Sequence, residues 1–299
     1  MGLREYALAT LVALLWGGNF VAVKLGTETF PPIFLLALRF TIVAAVMVPF
    51  VRRPPRHCWK AVVLVSVALG VFHFGLMFMG IARVDASTAA IATQLGVPFS
   101  TVLAVIFFRD VLGWRRILGI LVAFSGVAIL AGSPQVSGAW GGLLIIVAAA
   151  FAWAVANTLI KYLGPLDPFM LTGWMALLAV PQLLLLSFAV EQGQLQSLLT
   201  ATSVGWAAVI YTAIGSSVVA YTLWYSLINK NPVSQVVPFT LLAPVFGILA
   251  AAVILGEPLT LPLVLGGLVT ISGVALCEAT FRRTRFWGRR RPDVAVAPD

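Results

Sequence analysis

Charge is scarce in this sequence. Only 10% of its 299 residues are Asp, Glu, Lys or Arg, where a soluble domain carries about 25%. With 61% hydrophobic residues and a mean hydropathy of +1.04, the apolar surface exceeds what a water-facing coat can hide, so lipid is the expected solvent. Cysteine is nearly absent: Cys58 falls in a loop and Cys277 near the end of the last apolar run. Neither has metal-ligand spacing, so no metal site, no other cofactor and no disulfide is expected. Histidine is limited to His57 and His73, and none of the ten Asp and Glu residues lies deep in an apolar run. Paired membrane aspartates, a Ser–His pair and a His-Glu-x-x-His helix are therefore all missing, and no enzymatic function is expected. Obligatory proton coupling through a carboxylate has no obvious carrier either, which leaves His73 as the only neutral-pH alternative.

What is present is a series of ten apolar runs, at about 5–24, 33–51, 60–81, 87–108, 116–131, 140–161, 168–190, 204–228, 234–255 and 261–278. At about 1.5 Å per residue each is long enough to cross a bilayer as a helix. Their separators have turn chemistry, as in Pro31-Pro32, Pro54-Pro55, Gly164-Pro165, Asn231-Pro232 and Gly256-Glu257-Pro258. A closed barrel needs alternating strands of about ten residues, which these continuous runs do not offer. The first run is too long for a signal peptide, contains Trp16 and Asn19, and shows no clear cleavage site, so it reads as a retained first span.

The net charge of +9 does not imply a nucleic-acid partner, because the basic residues sit in short segments between runs and on the tail. With the N-terminus placed in the cytoplasm, sixteen of the nineteen Lys and Arg fall in inner segments, only Lys24 and Arg83 in outer ones, and Arg39 within a span. That bias predicts ten helices with both termini cytoplasmic. The two halves repeat. Trp16 and Lys24 match Trp153 and Lys161; Pro98 matches Pro244; Asp110 matches Glu257; Ser125-Gly126-Val127-Ala128 recurs as Ser272-Gly273-Val274-Ala275. Five spans per repeat force the second copy upside down, the arrangement that gives alternating access. The expected organisation is an all-α membrane protein of two inverted five-helix repeats, residues 1–135 and 136–280, with a basic cytoplasmic tail, 281–299, expected to be disordered.

Polar residues inside the runs form the candidate site. Span 1 is interrupted by Trp16, Gly17, Gly18 and Asn19, although Gly in a helix costs about 1 kcal/mol relative to Ala. Trp16 and Asn19 share nearly one face, either lining a cavity or bonding a neighbouring helix. Trp153 and Asn157 are their counterparts in span 6. In span 3, Gly70, His73, Met77 and Phe78 share a broad face; His73 can meet a substrate carboxylate, move a proton or bond a carbonyl. Span 4 carries Thr93, Gln94, Pro98 and Thr101, and span 9 carries Pro238, Thr240 and Pro244 in equivalent positions. A proline frees a carbonyl in mid-membrane, and two Pro-broken helices in matching positions point to a transporter's binding site or hinge. In span 8, Ser217, Tyr221 and Trp224 share a face next to Ser216, and Tyr225 is placed in the interfacial aromatic belt. The substrate-binding set is therefore Trp16, Asn19, His73, Met77, Gln94, Pro98, Trp153, Asn157, Ser217, Tyr221, Trp224, Thr240 and Pro244. Arg39 holds a carboxylate or bonds helix carbonyls. Lys24 and Lys161 read as orientation anchors, and Asp110 and Glu257 as helix caps. Gly119, Ala123, Gly126, Gly266, Gly267 and Gly273 allow close helix contact, either within the chain or in a homodimer through spans 5 and 10.

Trp16-Gly17-Gly18-Asn19-Phe20, Leu38-Arg39-Phe40, Pro98, Asp110 and the duplicated Ser-Gly-Val-Ala together resemble the drug/metabolite transporter superfamily, in its ten-helix EamA family, over residues 5–278. The resemblance implies a bacterial inner-membrane exporter of small metabolites, often amino acids or their derivatives, with a cavity walled by spans 1, 3, 4, 6, 8 and 9. Gln94 is similar to the pattern of cysteine and acetylserine exporters. Since span 2 lies outside that wall, the family pattern gives Arg39 a structural role. Carriers of drugs, nucleotide sugars or phosphorylated compounds are an alternative, as is a lipid flippase or an assembly subunit. A phosphorylated substrate calls for several cavity cations, which are lacking.

Overall fold

The computed structural model describes residues 1–110, 112–133, 136, 138–164 and 167–287, apart from the side chains of 233, 234 and 279–287. Ten of its helices are long and apolar enough to cross a membrane. They are span 1 (Leu3–Thr27), span 2 (Pro32–Phe50), span 3 (Arg56–Ile81), span 4 (Ala86–Phe108), span 5 (Trp114–Ala131), span 6 (Trp140–Leu163), span 7 (Pro168–Val190), span 8 (Ser203–Lys230), span 9 (Val237–Leu255) and span 10 (Leu261–Glu278). No strand occurs among the described residues. The spans match the apolar runs to within a few residues, because in lipid a helix must satisfy its own backbone. Two features were not expected. A short helix, Gln194–Leu199, lies between spans 7 and 8. The last helix continues to Trp287, so 281–287 extend it instead of starting a disordered tail; residues 288–299 lie outside the described ones.

Proline starts spans 2 and 7 at Pro32 and Pro168, where no amide hydrogen is needed. Asp167 and Thr202 cap spans 7 and 8, accepting from Met170 N at 2.7 Å and Gly205 N at 3.0 Å. Gly256, at φ +69°, ends span 9 in the left-handed conformation that glycine tolerates.

Small residues set the closest helix contacts. A Cβ on Gly119 would lie 2.8 Å from Gly273 O, and one on Gly126 would lie 2.6 Å from Gly266 O. Spans 5 and 10 therefore pack along their glycine faces within one chain, and Gly267 turns instead toward Ile91 of span 4. Gly17 brings span 1 onto span 9: its Cβ would meet Ala243 O at 2.6 Å and Gly247 N at 2.7 Å. Gly96 of span 4 does the same under the Trp153 ring of span 6. Without a hydrophobic drive between helices in lipid, such backbone approach supplies the packing energy.

Some breaks in helical regularity fall at matching places in the two halves, although a wide turn at Ala251–Leu255 in span 9 and a tight one at Val48–Phe50 in span 2 have no counterpart among the described residues. Wide π turns occupy Ser66–His73 in span 3 and Tyr211–Val219 in span 8, which start 145 residues apart. Tight 3₁₀ turns occupy Thr93–Leu95 and Val237–Leu241, just before Pro98 and Pro244.

One end of the bundle is clasped by side chains that cross between elements. Glu257, after span 9, accepts from Ala86 N at 2.7 Å and Ser87 N at 3.0 Å, and the Ser87 hydroxyl donates to it as well. Glu191, after span 7, accepts from Ile33 N at 2.8 Å and Phe34 N at 3.1 Å. Carboxylates from the second half thus cap the N-termini of spans 2 and 4 in the first. Lys24 is more than an anchor: its ammonium donates to the carbonyl of Ile81, the last residue of span 3, at 3.2 Å and to Val84 O, in the turn that follows, at 2.8 Å. At the other end Asp167 caps its own helix, Lys161 lies 3.8 Å from the Phe108 ring centroid, and the Asp110 side chain, expected to cap a helix, makes no hydrogen bond among the described residues.

Two outcomes follow from this packing. Gly126→Leu should lower the melting temperature of the detergent-purified protein through an overpacking cost of about 1–3 kcal/mol or more. Gly141→Leu, whose Cβ would meet nothing within 4 Å, should leave it unchanged. Asp85 sits half-buried beside Glu257 and Lys24; burial first and Glu257 second push its carboxyl above the usual range, against Lys24. A carboxyl that binds its proton more tightly when folded adds stability below its unfolded pKa and loses it as pH rises through the raised value. Asp85→Asn should therefore raise the melting temperature at neutral pH, with the difference vanishing below about pH 4. A lowered melting temperature at neutral pH would make Lys24 the dominant neighbour instead.

Candidate functional site

An amide or guanidinium in hydrocarbon must find polar partners, and span 8 supplies them. In a regular helix neighbouring residues point about 100° apart, but the wide turn at Tyr211–Val219 brings two successive serines to one carbonyl. Ser216 Oγ and Ser217 Oγ both lie 2.9 Å from Thr212 O. Ser216 Oγ also lies 2.8 Å from Asn19 Oδ1 of span 1. Ser217 Oγ accepts from Arg39 Nε at 3.1 Å and Nη2 at 2.9 Å, while Arg39 Nη1 faces Asn19 Oδ1 at 3.5 Å. Asn19, Arg39, Ser216 and Ser217 are all buried. They tie spans 1, 2 and 8 together well inside the bundle. The Arg39 guanidinium is walled by rings, its carbon 5.0 Å from the Phe74 centroid, 5.5 Å from Phe78 and 5.8 Å from Phe40.

Aromatic side chains continue from this node. Trp16 lies 5.2 Å from Trp224 and 5.5 Å from Tyr221 between ring centroids. Tyr221 stacks on Tyr225 at 5.9 Å, and Tyr225 meets Phe169 edge-on at 5.3 Å. Tyr225 thus joins a ring stack that reaches Phe169, the second residue of span 7. Phe169 lines a cavity of about 700 Å³ between spans 2, 7 and 8, with Val46, Met47, Arg52 and Thr222 among its walls. This cavity lies at the end opposite the Glu257 and Lys24 clasp. Its walls come from spans 2, 7 and 8 and the segment after span 2, while the resemblance implied a cavity walled by spans 1, 3, 4, 6, 8 and 9.

The structure thus gathers Trp16, Asn19, Ser217, Tyr221 and Trp224 from the expected set, together with Arg39 and Ser216. His73 is buried with Nδ1 2.8 Å from Ala149 O of span 6 and its ring 4.7 Å from Phe74. The carbonyl bond makes Nδ1 the protonated nitrogen. Met77 is buried one turn further on. Gln94, in the tight turn of span 4, is only partly buried, and its amide has no hydrogen-bond partner among the described residues. Pro98 and Pro244 are buried. Thr240 bonds back to Val237 O at 2.7 Å. The pairing of Asn157 with Asn19 does not extend to contacts: Asn157 Nδ2 donates to Trp153 O of its own helix at 3.0 Å, and Trp153 serves the helix crossing at Gly96. Span 8 can widen to present its two serines, whereas span 6 meets span 4 through a ring, so the two asparagines have different neighbours. Arg39 is the member of the node that the sequence placed outside the site; its signal was that it is the only cation well inside a span.

Known proteins resemble this chain over almost its whole length. A protein of Salmonella typhimurium named "Probable amino-acid metabolite efflux pump" is 30% identical over 295 residues, covering 95% of this chain and 98% of its own. A protein of Escherichia coli with the same name is 28% identical over 284 residues, covering 92% and 94%. A solved crystal structure, 20% identical, superposes with a TM-score of 0.64 over 95% of this chain and 99% of that one, which shows a shared fold. The pattern of the EamA-like transporter family matches twice, at residues 3–132 and 140–278. Ten helices long and apolar enough to cross a membrane agree with that match, and the chain belongs to the EamA-like transporter family.

Proposed function

We propose that this transporter exports small metabolites, amino acids or their derivatives, across the bacterial inner membrane by alternating access. The two five-helix halves are inverted with respect to one another, and both termini are cytoplasmic. The observation that carries this reading is that charged caps close one end of the bundle while a cavity opens at the other. The Lys24 end is sealed by Glu257, Glu191 and Lys24, each bonded across elements. The Lys161 end, joined across elements by Met1 N to Gln235 Oε1 at 3.1 Å and by Trp174 Nε1 to Arg52 O at 3.0 Å, holds the cavity beside Phe169. With the Lys24 end facing outward, as the charge bias requires, this is a state closed to the outside with its cavity toward the cytoplasm, from which an exporter loads. The wide and tight turns at matching places supply hinge points in both halves.

The substrate class follows the names of the Salmonella and Escherichia coli relatives, and a node of amide, hydroxyl and aromatic groups suits a small amphipathic molecule. A phosphorylated substrate fits less well. Lys24 is spent on span 3 and Lys161 on Phe108, which leaves Arg39 as the one cation at the node; Arg52 and Arg53 line the cavity with Asp167 beside them.

Gln94 tests the reading, since its unbonded amide is free for a ligand. In proteoliposomes loaded with radiolabelled amino acids, Gln94→Ala should slow movement about fivefold or more, the loss of one ligand hydrogen bond of about 1 kcal/mol, with an unchanged melting temperature. Wild-type protein that moves none of the amino acids above the empty-liposome background would overturn the proposal.

A further inference from the structure

The node contains a cation that the chain does not neutralise. Arg39 is 2% exposed, and its hydrogen-bond partners are a hydroxyl and an amide oxygen, both neutral. None of the ten Asp and Glu residues sits deep in an apolar run, so the spans have no carboxylate to offer at that depth. Phe40, Phe74 and Phe78 spread the charge over ring faces without cancelling it. A buried charge left this way is costly, and ionisable groups in membrane interiors are retained where they act.

The donors point the same way. A guanidinium has five N–H groups in a planar fork. Nε donates to Ser217, Nη2 donates to Ser217, and Nη1 faces Asn19. One hydrogen on each terminal nitrogen remains for a ligand, and a carboxylate is the acceptor that a guanidinium holds most strongly. Ser217, which also donates to Thr212 O, fixes the fork and acts as a positioning residue. Along span 2, Val43, Val46 and Met47 follow Arg39 at helical spacing, and Val46 and Met47 line the cavity. On the span 8 side, Tyr221 stacks on Tyr225, and Tyr225 meets Phe169, which lines that cavity.

We propose that Arg39 anchors the carboxylate of the exported metabolite, so that the substrate is a small molecule with a free carboxylate and an apolar or aromatic part lying against Trp16 and Tyr221. This rests on the exporter reading and narrows it. Cationic drugs are excluded by repulsion, and amides and esters of the true substrate lose the anchor. The carboxylate enters from the cavity side when the aromatic stack opens.

The test compares the twenty L-amino acids with their carboxamides as substrates of the full-length protein in liposomes. The acids that move should do so about tenfold or more faster than their amides, the worth of hydrogen bonds to a charged group. Arg39→Gln should abolish that preference, and Arg39→Lys, which keeps the charge but not the fork, should retain part of it. Acids and amides moving equally well in the wild type would overturn the carboxylate anchor and leave the exporter standing. If neither form of any amino acid moves, the exporter reading itself falls. Should Arg39→Gln fail to fold, Arg39→Lys decides: a reduced acid preference supports the Arg39 anchor, and an undiminished one overturns it.

Discussion

The structure depends on the bond between Arg39 and Ser217. A guanidinium in hydrocarbon has to be held by groups the chain brings with it, and this one is held by a hydroxyl that a regular helix would not present in this way. The wide turn of span 8 sets Ser216 and Ser217 over the same carbonyl of Thr212. One then serves Asn19 and the other Arg39. Three spans converge on that turn, and the aromatic groups of spans 1, 7 and 8 pack next to it. Removing the turn would take the serine hydroxyls from an amide and a cation at the same time.

The ends of the helices obey the same constraint by different means. A helix terminus leaves unsatisfied amides and carbonyls, and at the membrane surface water normally serves them. At the Lys24 end the protein serves them itself, with carboxylates and an ammonium borrowed from other spans. Such caps are strong because they are charge-assisted, and they are specific to one arrangement of the helices. They hold one arrangement of that end without adding contacts to the middle of the bundle.

Much of the fold was legible in the sequence because lipid leaves few choices. Apolar runs of sufficient length had to be helices, and Pro32, Pro168 and Gly256 mark where they begin or end. The glycines of spans 5 and 10 announced close contact, although whether they would meet each other or a second copy could not be read from one chain. The site was only partly legible. Trp16, Asn19, Ser217, Tyr221 and Trp224 were recognisable as polar or aromatic interruptions of apolar helices. The place of Arg39 was not, because the π turn that delivers Ser217 to it has no sequence signature of its own. His73 and Asn157 read as equals of Asn19 from composition, yet their bonds to Ala149 O and Trp153 O depend on neighbours that spacing does not specify. Glu191 was passed over because its partners, Ile33 and Phe34, lie more than 150 residues away.

The direction of the caps has a consequence for how the protein is made. Glu191 and Glu257 both belong to the second half, and the amides they satisfy, at Ile33, Phe34, Ala86 and Ser87, belong to the first. A ribosome delivers spans 2 and 4 to the membrane well before either carboxylate exists. Until then those N-termini must rest against water or headgroups, and the first five spans wait as an unfinished bundle. Although the chain reads as a sequence repeated twice, spans 2 and 4 gain these caps only once the second half has been synthesised, and separating the gene between the repeats would put each of the two helices and its cap on different chains.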